Sequence, residues 1–196
     1  MFRLGLTEDI EFRLRWNYDW RFIKDHESLR GSEDLRWSVK LRLTDQEGWL
    51  PESAVVTRFS VPTGGKAWSV DRLTSGLDII YGWEISEGWE IYGSTGYDFN
   101  GLGDFGFLPE EPASEHFNVW HQSVAFATEL TERVTMYNEW VGLYSTGLEA
   151  EFSIGLYNIG VDFYLTDNIV LDVRVGVGLT RDADDFFNGV GGGYRF

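Results

Sequence analysis

The stretch from Asn168 to Phe196 constrains the fold more than any other part of the chain. From Ile169 to Leu179 every odd position is apolar: Ile169, Leu171, Val173, Val175, Val177 and Leu179. Between them stand Asp172, Arg174, Gly176 and Gly178. A period of two sends successive side chains to opposite faces, so this segment is a strand with one dry and one wet face. Its length suits a tilted strand crossing a bilayer, which needs roughly 9–11 residues. A short acidic connection leads to a last strand with Tyr194 and Phe196 on one face.

The same pattern runs through the whole chain. Alternation predicts strands over 1–6, 10–20, 35–44, 53–62, 72–85, 88–99, 116–130, 133–144, 151–165, 168–180 and 186–196. Five tight turns share a Leu/Ile-Thr/Ser-acid signature: Leu6-Thr7-Glu8, Leu43-Thr44-Asp45, Ile85-Ser86-Glu87, Leu130-Thr131-Glu132 and Leu165-Thr166-Asp167. They alternate with mostly longer, glycine-rich or charged connections at 21–34, 63–71, 101–115, 145–150 and 180–185. Tight turns alternating with loops are what an antiparallel transmembrane β-barrel requires. The expected fold is therefore all-β, a single barrel domain over residues 1–196 with about 11 strands. Bacterial barrels have even strand counts, so about twelve strands are expected in full, with one strand and a signal peptide upstream of Met1.

Composition agrees. Aromatic residues make up 16% of the chain and there are 23 glycines, four prolines and no cysteine. A mean hydropathy of -0.24 with no long apolar run excludes a transmembrane helix. A net charge of -16 makes nucleic acid an unsuitable partner. The absence of cysteine removes disulfides and thiolate chemistry.

Which face is wet decides between a soluble and a membrane barrel. Aromatic residues cluster at the ends of the apolar face (Trp16, Tyr18, Trp20, Trp37, Tyr81, Trp83, Trp89, Tyr97, Phe99), as interfacial girdles do. Glycines and small residues crowd the polar face, and the strands exceed the usual soluble length of about 5–6 residues. Both features place the apolar face on lipid and the polar face in a lumen. The expected lumen lining is then basic on the early strands (Arg13, Arg15, Arg36, Lys40, Arg42, Arg58) and acidic on the later ones (Asp78, Glu84, Glu90, Asp98, Glu129, Glu139, Asp162, Asp172, with Arg174 among them). Opposed charged walls would orient polar solutes in a pore; paired across a narrow interior they would plug it instead. The strand over 151–165 changes phase, with Phe152, Ile154 and Leu156 even and Ile159, Val161, Phe163 and Leu165 odd, so a β-bulge is expected near Tyr157–Asn158. Asn138 falls on the apolar face of its strand.

Chemistry-bearing motifs are few. His121-Gln122-Ser123 resembles the His-Gln-Ser core of the outer-membrane phospholipase, which would make the protein a lipid hydrolase with Asn138 as third member. That family continues with Asn-Gly, where this chain has Val124-Ala125. Asp182, Asp184 and Asp185 form an acidic loop that suits solvent or a calcium ion. Gly101-Leu102-Gly103 lacks the helix that a phosphate loop needs. No metal site or cofactor is expected, and no catalytic residue.

The chain resembles the outer-membrane family labelled for the MetA pathway of phenol degradation. The likeness is carried by the run from Arg3 to Leu14, by Phe59-Ser60-Val61-Pro62-Thr63-Gly64, and by Asn138-Glu139-Trp140. It is densest in the tail: Leu171-Asp172, Gly176-Val177-Gly178-Leu179, Asp184-Asp185-Phe186-Phe187, Gly189-Val190-Gly191 and Tyr194-Arg195-Phe196. A closing aromatic such as Phe196 looks like the signal that addresses a bacterial barrel to the outer-membrane assembly machinery. The resemblance implies a porin-like barrel in the Gram-negative outer membrane, with the lipid bilayer and that machinery as partners. It further implies passive passage of small solutes, aromatic or hydrophobic ones among them, as a channel or transporter without enzymatic activity. A plugged structural barrel is the alternative.

Overall fold

A computed structural model describes residues 1–21, 29–65, 68–69, 71–101 and 116–195. The expected connections at 21–34, 63–71 and 101–115 fall partly outside these residues, as does Phe196. Eleven strands form one antiparallel sheet in chain order: β1 (Phe2–Gly5), β2 (Ile10–Arg15), β5 (Leu35–Thr44), β6 (Glu52–Val61), β7 (Thr74–Ser86), β8 (Trp89–Phe99), β9 (Asn118–Thr131), β10 (Val134–Thr146), β11 (Ser153–Thr166), β12 (Ile169–Gly178) and β13 (Phe186–Tyr194). β1 and β13 are the edges of this sheet among the described residues. No described helix is long and apolar enough to cross a membrane.

The expected strand over 10–20 is divided. β2 stops at Arg15, and β3 (Tyr18–Arg21) pairs with β4 (Leu29–Ser32) in a separate two-stranded sheet. The break is set by a buried polar knot. The Asn17 side-chain amide donates to the Glu33 carboxylate at 2.8 Å, and the Glu33 amide donates to the Asn17 carbonyl at 3.0 Å. Asp34, only 1% exposed, accepts from the amides of Thr63 and Gly64 at 3.1 and 2.8 Å. Period-two alternation continues through this break, which is why the sequence pattern conceals it.

The five repeated turn signatures have a common local structure. The pairing skips Leu43, Ile85, Leu130 and Leu165, each the extra residue of a bulge beside its turn. At the first turn the amides of Leu6 and Thr7 both donate to the Ile10 carbonyl, at 2.8 and 3.2 Å. A bulge increases local twist and lets two residues face one. The hydroxyl that follows helps close the turn: Thr7 accepts from the amides of Asp9 and Ile10, Thr131 from that of Arg133, and Thr166 from that of Asn168. Leu6, Leu43, Ile85, Leu130 and Leu165 are all 52–57% exposed, an apolar ring around one rim.

Residues opposite one another in the ladder share a face, and apart from the bulges at the turn rim the register is regular from β2 to β13. One face carries exposed Leu41, Leu77, Ile79, Val124, Ile159, Leu171, Val173, Val175 and Val177. The other buries Ala54, Val56, Ala125 and Ala127 together with Asp78, Asp98 and Asn158. We call these the outer and inner faces. Asn138 is on the outer face, where its side-chain oxygen accepts from the Tyr157 hydroxyl at 2.9 Å.

The bulge expected near Tyr157–Asn158 is absent. Pairing with β10 and β12 is regular through both residues, and the irregularity of β11 lies at Tyr164/Thr166. Ile154 and Leu156 point inward, so the strand never changes phase. They belong to an apolar cluster with Phe117, Val119 and Leu143, flanked by Val141, Leu148, Phe152, Ala183 and Phe187. The inner face is thus apolar at its loop end and polar elsewhere, and an alternation argument takes that switch for a slip in register.

The β10–β11 loop is held by Glu151. Its carboxylate accepts from the Ser145 hydroxyl and the Gly147 amide, and these bonds hold its pKa below the ordinary value. A depressed carboxyl pKa stabilises the fold above the ordinary value of 4.5, and the contribution is lost as pH falls through the lower folded value. Protection factors of the Gly147 and Phe152 amides, taken against the intrinsic exchange rate at each pH, should therefore fall on acidification, and Glu151→Gln should lower them at neutral pH already. Exchange that ignores both changes would refute this role.

Candidate functional site

The inner face carries a four-strand charge cluster centred on Arg58 of β6. Its Nε lies 2.7 Å from Oδ2 of Asp78, and its Nη2 lies 3.0 Å from Oδ1 of Asp78 and 3.1 Å from Oδ1 of Asp98. His121 completes the group, with Nε2 2.8 Å from Nη2 of Arg58, 3.1 Å from Oδ1 of Asp78 and 3.4 Å from Oδ2 of Asp98. Asp78 and Asp98 are only 8% and 6% exposed.

Local sequence explains the convergence. Gly76-Leu77-Asp78 on β7 and Gly96-Tyr97-Asp98 on β8 are the same three-residue pattern in neighbouring antiparallel strands. The register sets Gly76 opposite Asp98 and Asp78 opposite Gly96, with Arg58 beside Gly76 and His121 beside Gly96. Each charged side chain therefore lies across a glycine. A Cβ on Gly96 would sit 2.0 Å from Asp78 Oδ1, and one on Gly76 would sit 2.4 Å from Asp98 Oδ1. Arg58, Asp78 and Asp98 belong to the expected lumen charges, whereas the sequence argument gave His121 no part in a charge cluster. The paired Gly-x-Asp motifs mark the two carboxylates, and the imidazole joins them through the register of β8 and β9.

The other expected lining residues occupy three places. Arg42 stands at the turn rim, bound to Asp9 and Asp45 at 3.1 and 3.0 Å, and Glu129 packs beside Gly88 of another turn. Arg13 pairs with Glu11 of its own strand, Arg15 lies 3.9 Å from Glu33, and Arg36 lines a small recess with Arg58 and Asp98. Lys40, Glu84 and Glu90 line a cavity of about 560 Å³ with Glu52 and Glu139. Asp162 and Asp172 line a second of about 440 Å³ with Arg174 and Glu139, and a third of about 380 Å³ meets the apolar cluster. Glu139 borders all three cavities. Arg58 pairs sideways with carboxylates on β7 and β8, so its charge is neutralised along the sheet.

The hydrolase arrangement is not assembled. His121 and Ser123 share the inner face, but His121 is engaged in the charge cluster and the Ser123 hydroxyl bonds Ser94 at 2.9 Å. Asn138 faces the opposite side of the sheet. In the acidic loop, Asp182 accepts from the Ser153 amide at 2.9 Å, and Asp184 lines the third cavity. No group of three or more metal-ligating side chains is poised around a common point among the described residues.

An antiparallel, curved, all-β sheet with charged residues inside and aliphatic ones outside has the architecture of porins. A solved structure titled "NanC porin structure in rhombohedral crystal form" superimposes with a TM-score of 0.60 over 100% of this chain and 97% of that one, at 10% sequence identity. That likeness is one of fold. The family described as "Putative MetA-pathway of phenol degradation" matches residues 3–196, and the chain belongs to it. No curated protein matches the sequence.

Removing one partner of the charge cluster leaves buried carboxylates uncompensated. Arg58→Met should lower the unfolding free energy by about 3–5 kcal/mol, and adding Asp78→Asn with Asp98→Asn should recover most of the loss. Gly96→Val should cost about 1–3 kcal/mol by overpacking. Urea unfolding in detergent micelles, followed by Trp fluorescence, reads all three.

Proposed function

We propose that the protein is an outer-membrane channel for passive passage of small solutes, with an inner face that selects by charge and no catalytic role. The observation that carries this reading is the inside-out distribution of side chains. Aliphatic residues of β12 are 38–49% exposed on one face, while Asp78, Asp98 and Asn158 are buried on the other. A soluble sheet would cover such a row; a bilayer covers it without a partner protein. The family label and the porin-like fold support the same conclusion, and the label further supports aromatic or hydrophobic compounds as solutes.

The proposed pore lining is Arg13, Arg15, Arg36, Lys40, Arg42, Arg58, Asp78, Glu84, Glu90, Glu129, Asp162 and Asp172. Around the cavity of about 560 Å³ Lys40 faces the carboxylates Glu52, Glu84, Glu90 and Glu139, and around that of about 440 Å³ Arg174 faces Asp162, Asp172 and Glu139. Acid outnumbers base in both, which favours cations and neutral solutes over anions.

Single-channel recording in planar bilayers should show discrete cation-preferring openings, and Glu84→Gln with Glu90→Gln should reduce that preference. A folded protein that stays silent would mean that the inner charges plug the lumen. Val175→Arg should destabilise by about 2–4 kcal/mol in lipid vesicles if that position meets the bilayer midplane. Ser38→Arg on the inner face should cost much less, and equal costs would overturn the assignment of faces.

A further inference from the structure

We infer that the inner-face cavity of about 440 Å³ binds a small organic cation of the quaternary ammonium class, held by tyrosine rings and a cross-strand pair of aspartates. The inference rests on the channel reading for access to the inner face and names a solute class for one charged stop along it. The cavity is lined from β8, β10, β11, β12 and β13. Its volume is within the roughly 300–1,000 Å³ typical of small-molecule pockets.

Asp162 and Asp172 stand directly opposite each other in the β11–β12 ladder, and both line the cavity. Side chains so placed start about 4.5–5.5 Å apart at Cβ, and like charges there repel. Other carboxylates of this face are matched: Asp78 and Asp98 by Arg58, Glu139 by Asn158. Asp162 and Asp172 accept no hydrogen bond and form no ion pair among the described residues. Arg174 borders the same cavity, but its stem lies across Gly189 of β13 and it pairs with neither aspartate. A positive charge that enters the cavity relieves the repulsion between the two carboxylates.

The tyrosines decide which cation. Tyr92, Tyr137 and Tyr164 line the cavity from three strands. The Tyr137 ring lies across Gly160, occupying the place a Cβ would take. One side of that ring is set against β11, and the other is left toward the cavity. A tyrosine face attracts a cation within about 6 Å of the ring centroid, more strongly once water is removed. Carboxylates alone serve any cation; aromatic faces favour one that carries hydrocarbon and is weakly hydrated. A metal ion needs oxygen ligands converging on one point. No group of three or more metal-ligating side chains does so among the described residues. An anion meets Glu139, Asp162 and Asp172 against Arg174, and a neutral compound leaves the aspartates unmatched.

The test titrates probes of one shape into the full chain in maltoside micelles, by calorimetry. They are choline, its uncharged carbon isostere tert-butylethanol, and the anion of tert-butylacetic acid. Choline should bind about tenfold tighter than the isostere. Asp162→Asn combined with Asp172→Asn should erase that preference. Tyr137→Leu and Tyr164→Leu should each weaken choline about two- to fivefold and leave the isostere in place, because leucine keeps the apolar contact and removes the ring face. Tyr164 is already 42% exposed, so its replacement leaves the fold intact. Equal affinity for choline and the isostere, or tightest binding of the anion, would overturn the inference. So would a choline preference that survives the paired aspartate change, choline affinity untouched by both tyrosine changes, or magnesium ions that bind tighter than choline. Openings in a bilayer without choline-selective binding would remove the site and leave the channel; choline-selective binding by a silent protein would remove the channel and leave the site.

Discussion

Arg58 is the interaction on which the inner face depends. A single guanidinium on β6 reaches carboxylates on β7 and β8, and beside them an imidazole on β9, so one group ties four consecutive strands. That reach is possible because Gly76 and Gly96 leave the space over which the charged chains lie. The same device recurs where no charge is involved. Tyr137 lies over Gly160 and Phe187 over Gly176, each at a distance that any Cβ would close. Large and absent side chains alternate between neighbouring strands, which lets one face hold bulky groups without forcing the strands apart.

At the turn rim a different device repeats. The five Leu/Ile-Thr/Ser-acid signatures place an exposed aliphatic side chain at the rim, four of them at a bulge, and a hydroxyl or acid at the turn. The resulting row of Leu and Ile is left more than half exposed. On the membrane reading it marks the lower edge of the lipid-facing band, and the polar turn just beyond it meets water. The opposite rim has no such regularity. There the strands end in an apolar inner cluster and in loops tied by single carboxylates: Glu151 to Gly147, Asp182 to Ser153, Asp34 to Gly64. One end is thus uniform scaffold and the other holds the individual chemistry of this chain.

The three cavities that meet at Glu139 differ in character along that axis. The two that hold Lys40, Glu84, Asp162 and Asp172 are lined by charge; the third is apolar with a buried amide. A solute moving along the inner face would pass from an apolar surface to a charged one. On the channel reading such a sequence would sort solutes by desolvation cost first and by charge second.

What the sequence determined by itself was the ladder. Strict alternation at Ile169–Val177 and its counterparts, with turn signatures at a regular spacing, set the number and order of strands in the main sheet. It also set which residues share a face, because period two follows from backbone geometry alone. Tertiary structure decided what depends on contacts between strands. The Asn17–Glu33 knot ends β2 early although alternation continues past it. Ile154 and Leu156 look like a slip in register until Phe117, Val119 and Leu143 are seen packed against them. Asp98 and His121 join Arg58 only through the register of four strands; Gly96-Tyr97 beside Asp98 hints at it, and nothing beside His121 does. Alternation reports which side a residue is on. What it meets there is decided by residues some 20–60 positions away, brought into reach by loop closures that leave no local mark in the sequence.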